Sequence, residues 1–227
     1  MILSTALVEA ARDYRYLLDR GYPTDATLKL AGDRHRLTRD ERMVLYRGVL
    51  GSAASASNRS RLTADYVAGG ELCVDGYNVL FTLMNYLRGA SLFLCTDGLL
   101  RDSGGVHGHV PDGDAFGKAV GLLVDGLARP GMGAALVALD APVSSSGRHA
   151  AMLREAARAA GLEVVVELAR SADPVLKARA TGVVATSDSA VVAAAAVPVF
   201  DLARCVLEGR FGAAFPDLDE ALRLLPS

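Results

Sequence analysis

The sequence predicts an α/β protein in three layers, with a mainly parallel central sheet between helices, preceded by a small α-helical region. Three observations carry that reading. From residue 72 onward, short apolar runs alternate with helical stretches, the signature of parallel strands joined by crossover helices. Several of those runs end directly in Asp. The first sixty or so residues show only helical rhythm, closed by a small polar stretch.

The elements follow in order. Residues 2–20 place Leu7, Val8, Ala11, Tyr14, Leu17 and Leu18 at helical spacing, and Gly21, Tyr22 and Pro23 stop that helix. A second helix starts near Thr38, with Asp40 and Glu41 in its first turn, and runs through Leu45 to about Val49. The run Ser52 to Ser60, SAASASNRS, is small and polar and reads as a linker or mobile loop. A domain boundary therefore falls between about 50 and 70, giving a helical region over 1–65 and an α/β domain over 66–227. The predicted strands are Leu72–Val74, Leu92–Cys95, Ala135–Leu139, Val164–Val166, Val183–Ala185 and Val197–Phe200. Helices are predicted over 78–88, 114–128, 147–160, 173–180, 188–195 and 202–208.

Composition excludes several classes. Hydrophobic residues make up 51% and charged residues 22% of the 227, too rich in core formers for a disordered chain. The mean hydropathy of +0.26 is high, yet the longest apolar run, Ala190–Phe200, spans 11 residues and contains Pro198, too short to cross a bilayer. No signal peptide is read in the first residues, and a cytoplasmic protein without membrane partners is expected. Cys73, Cys95 and Cys205 are odd in number and widely spaced, against a disulfide framework or a zinc knuckle. The formal net charge is -2. Residues 1–70 carry 11 basic and 8 acidic groups, whereas residues 71–227 carry 13 and 18. The near-neutral total thus hides two opposed halves, and the basic one is compatible with phosphate contacts.

In an open parallel sheet, ligands bind outside the carboxyl ends of the strands. Asp75, Asp140 and Asp201 directly follow apolar runs, Asp97 follows one after Thr96, and Asp188 follows one after a short turn. Each could simply cap the next helix, as Asp173-Pro174 and Thr186-Ser187-Asp188-Ser189 are well suited to do. Together they concentrate negative charge on one edge. Hard oxygen ligands of this kind favour Mg²⁺ or Mn²⁺ over zinc. Asn78 falls three residues after Asp75, in the first helical turn, with Gly76 allowing a tight turn between them. Cys73 stands where a haloacid-dehalogenase-type phosphatase needs its nucleophilic Asp, so that chemistry is excluded.

Pro142-Val143-Ser144-Ser145-Ser146-Gly147-Arg148 follows Asp140 and opens a helix. Ser144, Ser146, Arg148 and free backbone N–H groups there are candidates for holding a substrate phosphate. It is not a P-loop, and Gly131-Met132-Gly133 lacks the third glycine of the dinucleotide fingerprint. His107 and His109 lie in a Gly-rich loop and read as solvated or as ligands; His35 and His149 have no partner at zinc spacing. Arg34, Arg36, Arg39, Arg42, Arg47, Arg59 and Arg61 form a basic stretch, read as a solvated face or a phosphate-tracking patch.

Asp75-Gly76-Tyr77-Asn78-Val79-Leu80 resembles the opening motif of PIN-like and NYN-type nucleases. Asp173-Pro174-Val175-Leu176 followed by Gly182 to Ser189 resembles their later acidic pair, fifteen residues apart. One departure is the lack of a mid-domain helical carboxylate; Asp97, Asp102 or Asp140 would have to supply it from loops. The whole chain also resembles the prokaryotic domain of unknown function 434 family. That likeness rests on Arg20-Gly21-Tyr22-Pro23, Gly32-Asp33-Arg34, Asp97-Gly98 with Leu100-Arg101-Asp102, and Asp140 with Pro142 to Gly147.

The PIN-like resemblance implies a metal-dependent ribonuclease. Asp75, Asp97, Asp140, Asp173 and Asp188 would hold one or two Mg²⁺ or Mn²⁺ ions, with Asn78 orienting Asp75 or a bound water. Ser144, Ser146, Arg148 and Arg101 would meet the RNA. The alternatives are a non-catalytic nucleic-acid-binding or scaffold protein on the same fold, and a small-molecule phosphohydrolase. A homodimer is compatible with either.

Overall fold

A computed structural model describes residues 3–65, 70–104, 114–129 and 133–225. The chain begins with four helices, α1 (Thr5–Leu18), α2 (Thr24–Arg34), α3 (Arg39–Gly48) and α4 (Ser52–Arg59). Next come β1 (Leu72–Asp75), α5 (Gly76–Leu87), β2 (Leu92–Leu94), β3 (Leu100–Asp102) and α6 (Asp114–Leu127). They are followed by β4 (Ala135–Asp140), α7 (Ser146–Ala159), β5 (Val164–Ala169), α8 (Ala172–Lys177) and β6 (Val183–Ala185). The last elements are α9 (Ser189–Ala194), β7 (Val199–Phe200), α10 (Leu202–Phe211) and α11 (Leu218–Leu224).

These elements form two compact units. A helical unit contains Met1–Ser60, Gly89–Gly105 and Ala214–Ser227; a sheet unit contains Arg61–Arg88 and Val106–Ala213. The division between Ser60 and Arg61 lies inside the expected 50–70 window. The span 66–227 is not one unit, because it gives up 89–105 and 214–227 to the helical unit.

The sheet unit is built on five parallel strands in the order β5-β4-β1-β6-β7. All four residues of β1 are buried, as a central parallel strand covered on both faces requires. One face of the sheet packs Cys73, Ala138 and Val184 against Ala172 and Leu176 of α8 and Val191 of α9. Helices α5, α6, α7 and α10 pack on one another. From β1 the chain runs outward through β4 to β5, then crosses to the other side of β1 to lay down β6 and β7. That reversal at β1 is a topological switch point, and ligands of open α/β sheets bind at the carboxyl edge beside such a point.

The helical unit is held by one apolar core. Leu7, Val8, Ala11 and Tyr14 of α1 meet Val44 and Leu45 of α3, Phe93 of β2, and Leu218 and Leu222 of α11. Helix α3 opens with a capping box, Thr38 and Glu41 each satisfying the other's backbone N–H. The Ser52–Ser60 stretch is a helix rather than a loop. Its alanines favour helix, Asp19 accepts from the Ser52 N–H and hydroxyl, and Ser55 and Asn58 are buried.

Leu92–Cys95 is also corrected. It forms an antiparallel pair with β3, outside the parallel sheet. Helices α2 and α11 were not anticipated. Among the described residues, no helix is long and apolar enough to cross a membrane.

Candidate functional site

Three strands deliver carboxylates to the carboxyl edge of the sheet. Asp75 is the last residue of β1 and Asp140 the last of β4, while Asp188 lies three residues beyond the end of β6. Because β1 lies between β4 and β6, the three surround the point where strand order reverses.

Asp75 is buried and held on both oxygens. Thr186 donates its hydroxyl to one at 2.9 Å, and the Asn78 N–H donates to the other at 3.4 Å. Burial above all, with smaller pushes from the charges of Asp188 and Asp140, raises its carboxyl from 3.8 to about 7 against those two bonds. The carboxylates therefore feel one another. Asn78 is fixed in turn: its side-chain carbonyl accepts from the Ser187 N–H at 2.9 Å and the Ser187 hydroxyl at 3.1 Å. Its orientation relative to Asp75 is thereby set by β6.

The other carboxylates also carry local duties. Asp140 accepts from the Ala172 N–H at 3.0 Å, fixing the start of α8. Asp188 caps α9 by accepting from Ala190 and Val191 N–H groups. Asp173 sits in the first turn of α8 and pairs with Lys177 at 2.9 Å. The Lys177 ammonium is pushed up by that hydrogen bond and also feels Asp188, so the sheet edge carries a cation as well. Asp201 accepts from the Arg204 N–H, capping α10.

Ser144 and Arg148 are exposed around the start of α7. Ser146 is buried and spends its hydroxyl on the Ala141 carbonyl at 2.8 Å, which removes it from direct phosphate contact. Between them Ser145 adopts the left-handed region, φ 63°. Behind this turn His149 is buried, its Nδ1 2.9 Å from the Tyr77 hydroxyl, with the Phe116 ring 4.1 Å away. Tyr77, pushed up to about 12 by burial and then by Asp140, connects this cluster to the carboxylates.

Two expected site residues do not join. Asp97 and Arg101 belong to the helical unit, where they form a bidentate buried pair at 2.8 and 3.1 Å. Asn58 completes Asp97 at 3.1 Å. Their charges are consumed internally, so neither is available as a metal ligand or an RNA contact. The arginine stretch is also largely paired: Arg34 with Asp13, Arg42 with Asp33, Arg47 with Asp102 and Arg59 with Asp219. Arg61 donates to the Ala195 carbonyl. His107, His109, Gly131 and Met132 lie outside the described residues.

Thr186, Ser187 and Lys177 were not anticipated in the site. The first two were visible as a capping string and as part of the later acidic motif, with no role of their own, although two hydroxyls beside an Asp after a strand are also acceptor-orienting groups. The donor set at this edge is oxygen-rich and anionic, which suits a hard divalent cation. Among the described residues, however, no group of three or more His, Cys, Asp or Glu side chains is arranged to hold a metal ion.

Comparison with known proteins divides the chain near Ser60, as the structure does, but keeps 89–105 with the α/β region. Residues 6–61 match the protein of unknown function DUF434, and residues 64–205 match the domain of unknown function DUF5616. The first likeness therefore stops near the unit boundary instead of covering the whole chain. The uncharacterized protein MJ0935 of Methanocaldococcus jannaschii is 31% identical over 189 residues, covering 82% of this chain and 89% of the relative. No solved structure matches the chain significantly. With its α/β region matched from Asp75 through Asp188 and beyond, the chain belongs to the DUF5616 family, with a DUF434 segment ahead of that region.

Proposed function

We propose that the sheet unit is a PIN-like domain in three layers and that the protein is a metal-dependent ribonuclease. The observation that carries the reading is the placement of Asp75, Asp140 and Asp188 on three adjacent strand ends, close enough that their charges raise the Asp75 carboxyl. Carboxylates gathered at one sheet edge attract a divalent cation. A bound Mg²⁺ or Mn²⁺ would supply an activated water and offset charge on the scissile phosphate.

The chain's own residues divide the remaining work. Thr186 and Asn78 hold Asp75 in place, and Ser187 holds Asn78. Asp140 and Asp188 present carboxylate oxygens beside it. Asp173 stands one turn away with Lys177, whose ammonium is a point charge suited to a phosphate oxygen. Ser144 and Arg148 offer a hydroxyl and a guanidinium to the RNA backbone.

The test is cleavage of end-labelled single-stranded RNA by the full chain with Mn²⁺. Asp75→Asn and Asp188→Asn are each expected to lower the rate by about 100-fold or more. Absence of cleavage in the wild type, or full activity in both variants, overturns the reading. A second reading, a non-catalytic nucleic-acid-binding protein on the same fold, is favoured by the lack of a ready-made ligand group among the described residues. It predicts RNA binding that weakens with salt and no rise in thermal midpoint with Mn²⁺.

A further inference from the structure

A second feature of the sheet unit is independent of the carboxylate edge. Helices α6 and α10 pack closely where Gly126 meets Val206: a Cβ on Gly126 would lie 2.5 Å from a Val206 methyl. Beside that contact the helices part and leave a cleft of about 390 Å³, within the range of small-molecule sites. Leu122 and Gly126 line it from α6; Leu202, Cys205, Val206 and Gly209 line it from α10. They recur at helical spacing on both helices, so the apolar lining extends along about two turns. The room is real on the α10 side, where a Cβ on Gly209 would meet nothing within 4 Å.

The polar groups at this cleft have a distinct sign. Arg129 and Arg210 both line it, beside a single carboxylate, Asp125. Neither guanidinium forms an ion pair or hydrogen bond with another described residue. Two open guanidiniums beside an aliphatic trough suit one chemical class. A carboxylate can be taken bidentately by a guanidinium, while an alkyl tail covers the leucine, valine and thiol surface.

The geometry points to the α6–α10 cleft as a binding site for a medium-chain aliphatic carboxylate, its headgroup on Arg129 and Arg210 and its tail along Leu122, Leu202 and Val206. Cys205 reports on occupancy. It is partly exposed, whereas Cys73 and Cys95 are buried, so a thiol reagent reads this cleft first.

The experiment follows N-ethylmaleimide labelling of Cys205 in the full-length protein by peptide mass spectrometry, with sodium octanoate, 1-octanol or acetate present. Octanoate at ten times its Kd is expected to slow labelling about tenfold, with much weaker protection from octanol or acetate. Arg129→Gln/Arg210→Gln is expected to label at the wild-type rate without octanoate and to lose the protection. Gly209→Leu fills the open space with a better helix former and is expected to lose octanoate binding while keeping the wild-type circular dichroism spectrum. Labelling unchanged by octanoate up to the order of 10 mM, equal protection by octanol, or full protection in the double Gln variant overturns the proposal.

Discussion

Asp75 concentrates the physical tension of the carboxylate edge. Its carboxyl is raised from 3.8 to about 7, so without a cation the folded state takes up a proton that the unfolded chain has released. The stability it contributes is full below about 3.8 and is lost as pH rises through about 7. In chelator, the thermal midpoint of the wild type is therefore expected to fall between pH 5 and pH 8. Asp75→Asn should flatten that slope and be the more stable protein at pH 8, by on the order of 1–4 kcal/mol. Calorimetry across that range checks both. Asp75, Asn78, Asp140 and Asp188 were legible in the sequence because polar residues follow strand-length apolar runs. Asp97 showed the same signal and led elsewhere. Its run pairs with its own return strand, and an apolar run shortly before an Asp looks alike in a hairpin and in a parallel sheet.

Among the elements, the β1–α5 turn tolerates little change. A Cβ on Gly76 would lie 2.5 Å from a Leu139 methyl and 2.8 Å from the Ala138 carbonyl. The backbone carbonyl cannot swing away, so Gly76→Ala is expected to cost about 1–3 kcal/mol in urea unfolding. It should also displace Asp75 relative to β4. The β2–β3 hairpin makes a different demand. Arg101→Met strands Asp97 in a buried site and should cost about 3–5 kcal/mol, whereas Asp97→Leu/Arg101→Met should recover much of that loss. Chemical denaturation of the single and double variants measures the coupling. The Arg101 guanidinium, expected at the RNA, is instead part of the interior of the helical unit. Sequence patterns report charge without reporting which charges face each other after folding.

For the molecule as a whole, the helical unit draws on three separated stretches of chain. Its core needs Phe93 from β2 and Leu218 and Leu222 from α11 as much as Leu7 and Leu45. A fragment spanning 66–227 carries those apolar residues without α1 and α3 to cover them. It is expected to aggregate or to melt well below the full chain, as thermal unfolding with light scattering will show. The alternation of apolar runs and helices made the parallel sheet readable, because strand and helix periods are local. Membership of β2, β3 and α11 in another unit was not readable, because it depends on contacts between distant parts of the chain, 55 residues apart for Arg47 and Asp102 and 204 for Arg15 and Asp219.

The interleaving also orders events during synthesis. The first four helices leave the ribosome early, but their core lacks Phe93 until the hairpin emerges, and lacks Leu218 and Leu222 until nearly all of the sheet unit has been made. The sheet unit is complete at Ala213, before the helical unit can close. The helices made before the sheet unit are thus completed after it, and their core stays unfilled until α11 arrives.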